Sequence, residues 1–304
     1  MLNRKEDGTT KKRIQFKKII CFYLCAFLML LLGCKTSPPT TIMYDWHLTY
    51  LSAPTAWKTT KGENITVAII DSGIDYDLLG ENFAARIKAT YNAYDDNNDL
   101  TDYTYHGTGM LCLVGANGEN DCYGIAPECN FIVVKALNAA GGTNSEVLTK
   151  AIEFSIEHGA DIINLSLGGG AYNEEVSTVI QKAYDKNIVV VSAVGDQREE
   201  TALFPASLQE TLSVGAIDEN GEMYAESNYG TGVDVFVPGV NICVPKYAFG
   251  KKIVKKGRSG SSVATAVFSG IVALYLSTHD DYKVENVYEF FRNSYDNNLE
   301  KIIL

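Results

Sequence analysis

The sequence predicts an α/β fold of three layers, with a doubly wound, mostly parallel β-sheet between two layers of helices. Short runs such as Ile65–Ile70, Phe131–Ala136, Ile162–Leu167 and Ile188–Val194 are apolar and mostly β-branched, with little alternation. Strands buried on both faces read this way, as a parallel sheet requires. Between them lie longer stretches with helical spacing, and near the C-terminus runs a small-residue helix that is apolar nearly all round.

Taken in order, the first element is not part of that fold. Seven basic residues, Arg4 to Lys18, precede an apolar run from Ile19 to Leu32 that ends at Gly33-Cys34. A basic segment, a short apolar segment and a small residue at the cut form a secretory signal. The run is shorter than the ~20 residues of a membrane span, which is the rival reading. Leu31-Leu32-Gly33-Cys34 resembles a bacterial lipobox, in which Cys34 becomes a lipidated N-terminus; plain secretion is the alternative. The expected organisation is residues 1–33 as lipoprotein signal, 34–45 as tether and 46–304 as one domain. From Cys34 to Trp46 a fully extended tether reaches at most ~40 Å, so the body would work close to the membrane.

Of 26 basic and 37 acidic residues, seven and two respectively precede Cys34. The remaining 19 and 35 give a formal charge of −16. That field repels nucleic acid, which is excluded as a partner, and draws basic peptides toward the surface; solubility outside the cell explains it equally well. Cys112, Cys122, Cys129 and Cys243 show no C-x-x-C zinc spacing. Export permits a Cys122–Cys129 bridge, but buried thiols are the default expectation.

The strand Ile65–Ile70 ends in Asp71-Ser72-Gly73. Alone, this is the chemistry of a turn. His106-Gly107-Thr108-Gly109 opens an apolar helix, and its glycines allow close backbone approach, unlike the surroundings of His47, His158 and His279. Ser145–His158 and Glu174–Asn187 have helical spacing, with Asn144 and Asn173 as N-caps. Leu212–Ala216 and Val233–Val237 complete the strands. Ser262, in Gly260-Ser261-Ser262-Val263-Ala264-Thr265, begins the buried helix to Ser277, where a serine is ordinarily an N-cap. Asp71, His106 and Ser262 nonetheless all fall where open α/β sheets gather their chemistry, beyond the carboxyl ends of strands.

Together these segments resemble the subtilisin-like serine proteases (subtilases). The resemblance runs in order from about Trp46 to Ser277 and takes in Gly124-Ile125-Ala126-Pro127, Asn164-Leu165-Ser166-Leu167-Gly168-Gly169, Phe204-Pro205-Ala206 and Val237-Pro238-Gly239-Val240. The order Asp…His…Ser also agrees with that family, and an α/β-hydrolase is disfavoured by its order Ser…Asp…His. The resemblance implies peptide-bond hydrolysis by acyl transfer: Ser262 as nucleophile, His106 as base and Asp71 orienting it. It implies that Ser166, Leu167 and Gly168 pair with the substrate backbone as an edge segment. No cofactor is implied for catalysis. Structural calcium is possible, since Asp77 and the loop Asn117–Tyr123 resemble calcium-holding positions.

The chain departs from the pattern at Asp196, where subtilases place an oxyanion-donating Asn. An ionised carboxylate only accepts hydrogen bonds. Asp196 held protonated, Gln197 substituting for it, a slow and selective enzyme, or a non-catalytic surface protein are the readings it leaves open. Gly109 also stands where the family has a second histidine. The leading expectation is a membrane-tethered extracytoplasmic endopeptidase that processes exported peptides, such as a lantibiotic leader. A broad nutritional protease is the alternative.

Overall fold

A computed structural model of the chain describes residues 45–247 and 253–294. The signal segment 1–33, Cys34 and the tether, apart from Asp45, lie outside the described residues. Among the described residues, no helix is long and apolar enough to cross a membrane.

Seven strands form one parallel sheet: β1 (Thr66–Asp71), β2 (Ile87–Asn92), β3 (Asn130–Lys135), β4 (Ile162–Leu165), β5 (Val189–Ala193), β6 (Leu212–Ile217) and β7 (Val235–Pro238). Their order is β2-β3-β1-β4-β5-β6-β7. β1 therefore sits where the order reverses, between β3 and β4, and its carboxyl end opens on the crevice where such sheets bind ligands. Five helices matter here: α1 (His106–Gly115), α2 (Ser145–Glu157), α3 (Glu174–Asp185), α4 (Ser261–Leu276) and α5 (Val284–Ser294).

The apolar runs are explained by burial on two faces. Along β1, Val67 and Ile69 join the core shared with α1, α4 and α5, while Ala68 and Ile70 join the core under α2 and α3. β3 repeats the division, with Phe131 and Val133 on one side and Ile132 and Val134 on the other. A polar side chain at such a position is costly without a buried partner. α4 packs against several strands at once, and all but two of its 16 residues are buried. Its sequence is therefore apolar all round. Asn144 and Asn173 cap α2 and α3, each accepting from the N–H three residues on, at 2.9 and 3.0 Å.

Several boundaries differ from the expected ones. β4 stops at Leu165, not Leu167, and leaves Ser166–Gly168 as an extension past its last ladder partner. β7 begins at Val235, because Asp234 is drawn into side-chain bonds with Ser213. Unanticipated are the edge strand β2 and an antiparallel hairpin, β8 (Ile242–Tyr247) with β9 (Ile253–Arg258). Cys129 is a buried thiol and not half of the Cys122–Cys129 bridge that export permits, and burial pushes its pKa up to about 12. Cys112 and Cys122 are buried as expected, whereas Cys243 is only half-buried.

Candidate active site

Asp71, the last residue of β1, is 1% exposed, and its carboxylate accepts from the Ser72 N–H at 2.7 Å. His106 begins α1 and presents Nδ1 to both oxygens of that carboxylate, at 2.8 and 2.9 Å. The side chain of His106 keeps 26% of its surface exposed, so the pair has one buried and one solvent-facing member. The approach depends on Gly107: a Cβ there would lie 2.4 Å from the Gly73 carbonyl oxygen and 3.2 Å from the Asp71 Cβ. Gly73, at φ 119°, is equally tight, since its Cβ would meet the Leu100 carbonyl at 2.2 Å. These contacts give the glycines of both motifs their physical reason.

The Asp71 charge raises the His106 pKa above its ordinary value most strongly, followed by their hydrogen bond. Burial and the Arg258 charge act in the opposite direction, and Asp102 adds a smaller increase. The imidazole is thus biased toward holding a proton, as a base does once it has taken one.

Asp102 was not singled out from the sequence, yet it organises the loop before His106. It is 4% exposed. One oxygen accepts from the Ser72 hydroxyl and the N–H groups of Thr104 and Tyr105; the other accepts from the N–H and hydroxyl of Thr108. The nearest sequence signal was an Asp two residues ahead of a Thr, the pattern of an Asx-turn.

Ser262 occupies the second position of α4. Its hydroxyl donates to the Ser166 carbonyl at 2.9 Å, and the Ser166 hydroxyl donates back to the Ser262 carbonyl at 2.8 Å. His106 and Ser262 line one cleft of about 430 Å³, but no hydrogen bond joins them among the described residues. The expected contact of base and nucleophile is therefore open at this link, because the serine proton rests on a backbone acceptor. Such contacts commonly close only when substrate is bound.

The same cleft holds Asp196, half-buried, and Gln197, exposed. Asp196 Oδ1 accepts from the Ser261 N–H at 2.8 Å. Burial raises its carboxyl pKa above the usual carboxylate range, the Ser261 bonds oppose that, and Glu226 adds to it. Gly260, at φ 139°, gives the carboxylate room, since a Cβ would sit 2.8 Å from Oδ2. The N–H groups of Val263 and Ala264 are turned to the Gly260 carbonyl. That of Ser262 has no partner among the described residues, and it lies at the positive end of the helix dipole.

Ser166 is buried, Leu167 partly buried and Gly168 exposed, so the segment emerges from the core into the cleft. Beyond it, Leu167 and Gly168 also wall a neighbouring cavity of about 630 Å³, with Leu148, Val176 and Phe204 among its apolar lining.

Asp77 is exposed, and its carbonyl, with that of Leu78, receives the Asn120 side-chain amide at 3.5 and 3.0 Å. In the adjoining loop, Asn117 Oδ1 and Glu119 Oε2 are buried with no hydrogen-bond partner. Orphaned oxygens suit a hard cation, and Asn117 and Glu119 would supply two of the about six to eight that a structural calcium takes. Among the described residues, no three His, Cys, Asp or Glu side chains group to hold a metal.

With this geometry in view, the comparisons with known proteins agree on one family. The model of the subtilase family matches residues 62–303. A thermophilic serine proteinase from Bacillus sp. (strain AK1) is 33% identical over 232 residues, 73% of this chain and 55% of that protein. Subtilisin E from Bacillus subtilis (strain 168) is 32% identical over 228 residues, 72% of this chain and 57% of its own length. The chain thus spans little more than half the length of these relatives. The crystal structure of a cold adapted subtilisin-like serine proteinase superposes with a TM-score of 0.67 at 24% identity, covering 76% of this chain and 82% of that one. The fold is shared with that structure, and by the family match the chain belongs to the subtilases.

Proposed function

We propose that this chain is a serine endopeptidase, tethered outside the cytoplasmic membrane by lipid on Cys34, that hydrolyses peptide bonds through Asp71, His106 and Ser262. The observation that carries the reading is the Asp71–His106 pair, closed at 2.8 Å and facing the Ser262-bearing helix end across one cleft. In that arrangement Ser262 turns from the Ser166 carbonyl to attack a peptide carbonyl carbon, and His106 Nε2 takes its proton. Asp71 fixes the tautomer that leaves Nε2 free and stabilises the imidazolium. The proton then passes to the leaving amine, and water repeats the sequence on the acyl-enzyme. The Ser262 N–H supplies one donor to the oxyanion, and Asp196 stands beside it where a second is needed.

The substrate class we assign is an exported peptide cut at a leader, of the lantibiotic kind, lying against Ser166-Leu167-Gly168 with an apolar side chain in the adjoining cavity. The formal charge of −16 after residue 33 supports a basic segment near the cut, and the short tether supports work at the membrane surface. Calcium, where bound, serves the loop and not the reaction.

A fluorophosphonate probe, which reacts only with an activated serine, tests the activity. Labelling of the wild type and loss in Ser262→Ala is expected. Equal labelling of both, or of neither, means that the scaffold is not catalytic, the alternative that Asp196 suggests. Selective cleavage of a leader-bearing peptide with casein left largely intact supports processing. Broad digestion of casein would replace it with a nutritional role.

A further inference from the structure

Arg258 ends β9, four residues before Ser262, and lines the cleft with His106. Its Nη2 donates to the carbonyls of Thr104 and Tyr105 at 3.2 and 2.9 Å. These are the two carbonyls immediately before His106. Tyr105 has φ 56°, a left-handed conformation that costs a non-glycine residue about 1 kcal/mol or more and is kept only when its surroundings hold it. Asp102 holds its N–H at 2.8 Å and Arg258 holds its carbonyl. The residue before the imidazole is therefore gripped at both ends, from two separate elements.

Gly109 packs against this arginine: a Cβ there would lie 3.6 Å from Arg258 Nε and from both Val244 methyl carbons, at ordinary contact distance, so a bulky side chain at this position would crowd the two.

We propose that Arg258 is a positioning residue for the base, which clamps the backbone entering His106 and sets a permanent positive charge against the Asp71–His106 pair. The charged groups acting on the imidazole are Asp71 from β1, Asp102 from the preceding loop and Arg258 from β9. Asp196 lines the cleft as well. The two carboxylates favour the protonated ring and Arg258 opposes them. The arginine stays charged, being a base too strong to lose its proton in the half-buried cleft. Its effect is to release His106 from protonation at lower pH than the carboxylates alone would allow.

The inference rests on the reading of His106 as base. Its test is the rate of Ser262 labelling by a fluorophosphonate as a function of pH, which needs no knowledge of the substrate. Removing one nearby charge from a partly solvated cleft shifts a titration by roughly half a unit to one unit. Arg258→Gln should move the acid limb of labelling upward by about that amount. Arg258→Lys keeps the charge, but its shorter side chain does not place a donor where Nη2 lies, so the limb should stay while the plateau rate falls about tenfold. An unmoved limb in Arg258→Gln overturns the electrostatic part, and a wild-type plateau in Arg258→Lys overturns the clamp. Should Arg258→Gln fail to fold, by circular dichroism, the lysine variant with Gly109→Leu decides: wild-type rates in both remove the proposal. Absence of labelling in the wild type is a different failure, because it removes the serine mechanism itself.

Discussion

The hydroxyl of Ser262 donates to the carbonyl of Ser166, and the hydroxyl of Ser166 donates to the carbonyl of Ser262. This reciprocal pair ties the end of β4 to the first turn of α4 and parks the nucleophile on a neutral acceptor. A peptide that pairs with the Ser166–Gly168 segment competes for the same backbone groups. Seating of substrate and release of the serine are then one event.

Ser166→Ala removes one half of the pair and leaves the other. The Ser262 carbonyl and the buried Asn164 side chain each lose their bond to that hydroxyl. Leaving buried polar groups unpaired costs about 1–3 kcal/mol, which denaturant unfolding should register. The Ser166 carbonyl is untouched, so labelling of Ser262 should change much less, by about threefold or under. A large loss of labelling with unchanged stability would assign the hydroxyl to the chemistry.

Asp102→Ala tests the loop that presents His106. Six donors converge on this buried carboxylate from Ser72, Thr104, Tyr105 and Thr108. Leaving a buried neutral donor unpaired costs about 1–3 kcal/mol, and with several donors losing this acceptor a destabilisation toward the upper end of that range or beyond is expected. Asp102→Asn retains one acceptor oxygen and should fall between this variant and the wild type. Equal stability of all three proteins rules out the organising role.

Much of the sheet was legible because burial on both faces leaves few polar residues inside β1, β3, β4, β5 and β6. β2 was not legible for the converse reason. As an edge strand it is buried only at Asn92, and Lys88, Thr90 and Asn92 interrupt its apolar pattern. The hairpin strands carry Pro245, Lys246 and Lys256 and pair only with each other, so neither shows a buried run. At the site, Asp71, His106 and Ser262 announced themselves through neighbouring glycines and strand or helix ends. Asp102 and Arg258 had no such local mark. Arg258 binds carbonyls more than 150 positions away in sequence, a contact created only by the fold.

Calcium should stabilise the fold without entering the reaction. If Asn117 and Glu119 hold the ion through their orphaned oxygens, millimolar calcium raises the Tm and a chelator lowers it. In Glu119→Gln the shift should shrink, because a neutral amide replaces a carboxylate at the ligand position. The rate of serine labelling below the unfolding range should be the same with and without chelator. An unaltered Tm at millimolar calcium would leave Asn117 Oδ1 and Glu119 Oε2 as orphans that the fold simply tolerates.

Asp196→Asn should accelerate acyl transfer. In the wild type, Oδ1 accepts the Ser261 N–H at 2.8 Å, and the other oxygen adjoins Gly260. Both are negative once the group ionises, beside the point where the carbonyl oxygen of a substrate gains charge. Burial holds the carboxyl pKa above its ordinary value, so the protonated form, able to donate, persists to higher pH than for a free aspartate. His106 imposes the opposite demand, since its raised pKa keeps it protonated, and unable to act as base, above the ordinary histidine range. The two requirements pull apart, so wild-type labelling should be confined to the pH range where they overlap. An asparagine keeps an acceptor for the Ser261 N–H and offers an amide donor at every pH. One preorganised oxyanion donor is worth roughly 10²–10³ in turnover, and a gain toward the lower end of that range is expected because the Ser262 N–H already contributes. Stability should respond with a matching sign. A raised carboxyl pKa favours folding below the unfolded value near 3.8, an advantage lost as pH climbs through the folded value, so the asparagine variant should lack that slope. Identical rates and identical pH dependence in the two proteins would place Asp196 away from the oxyanion.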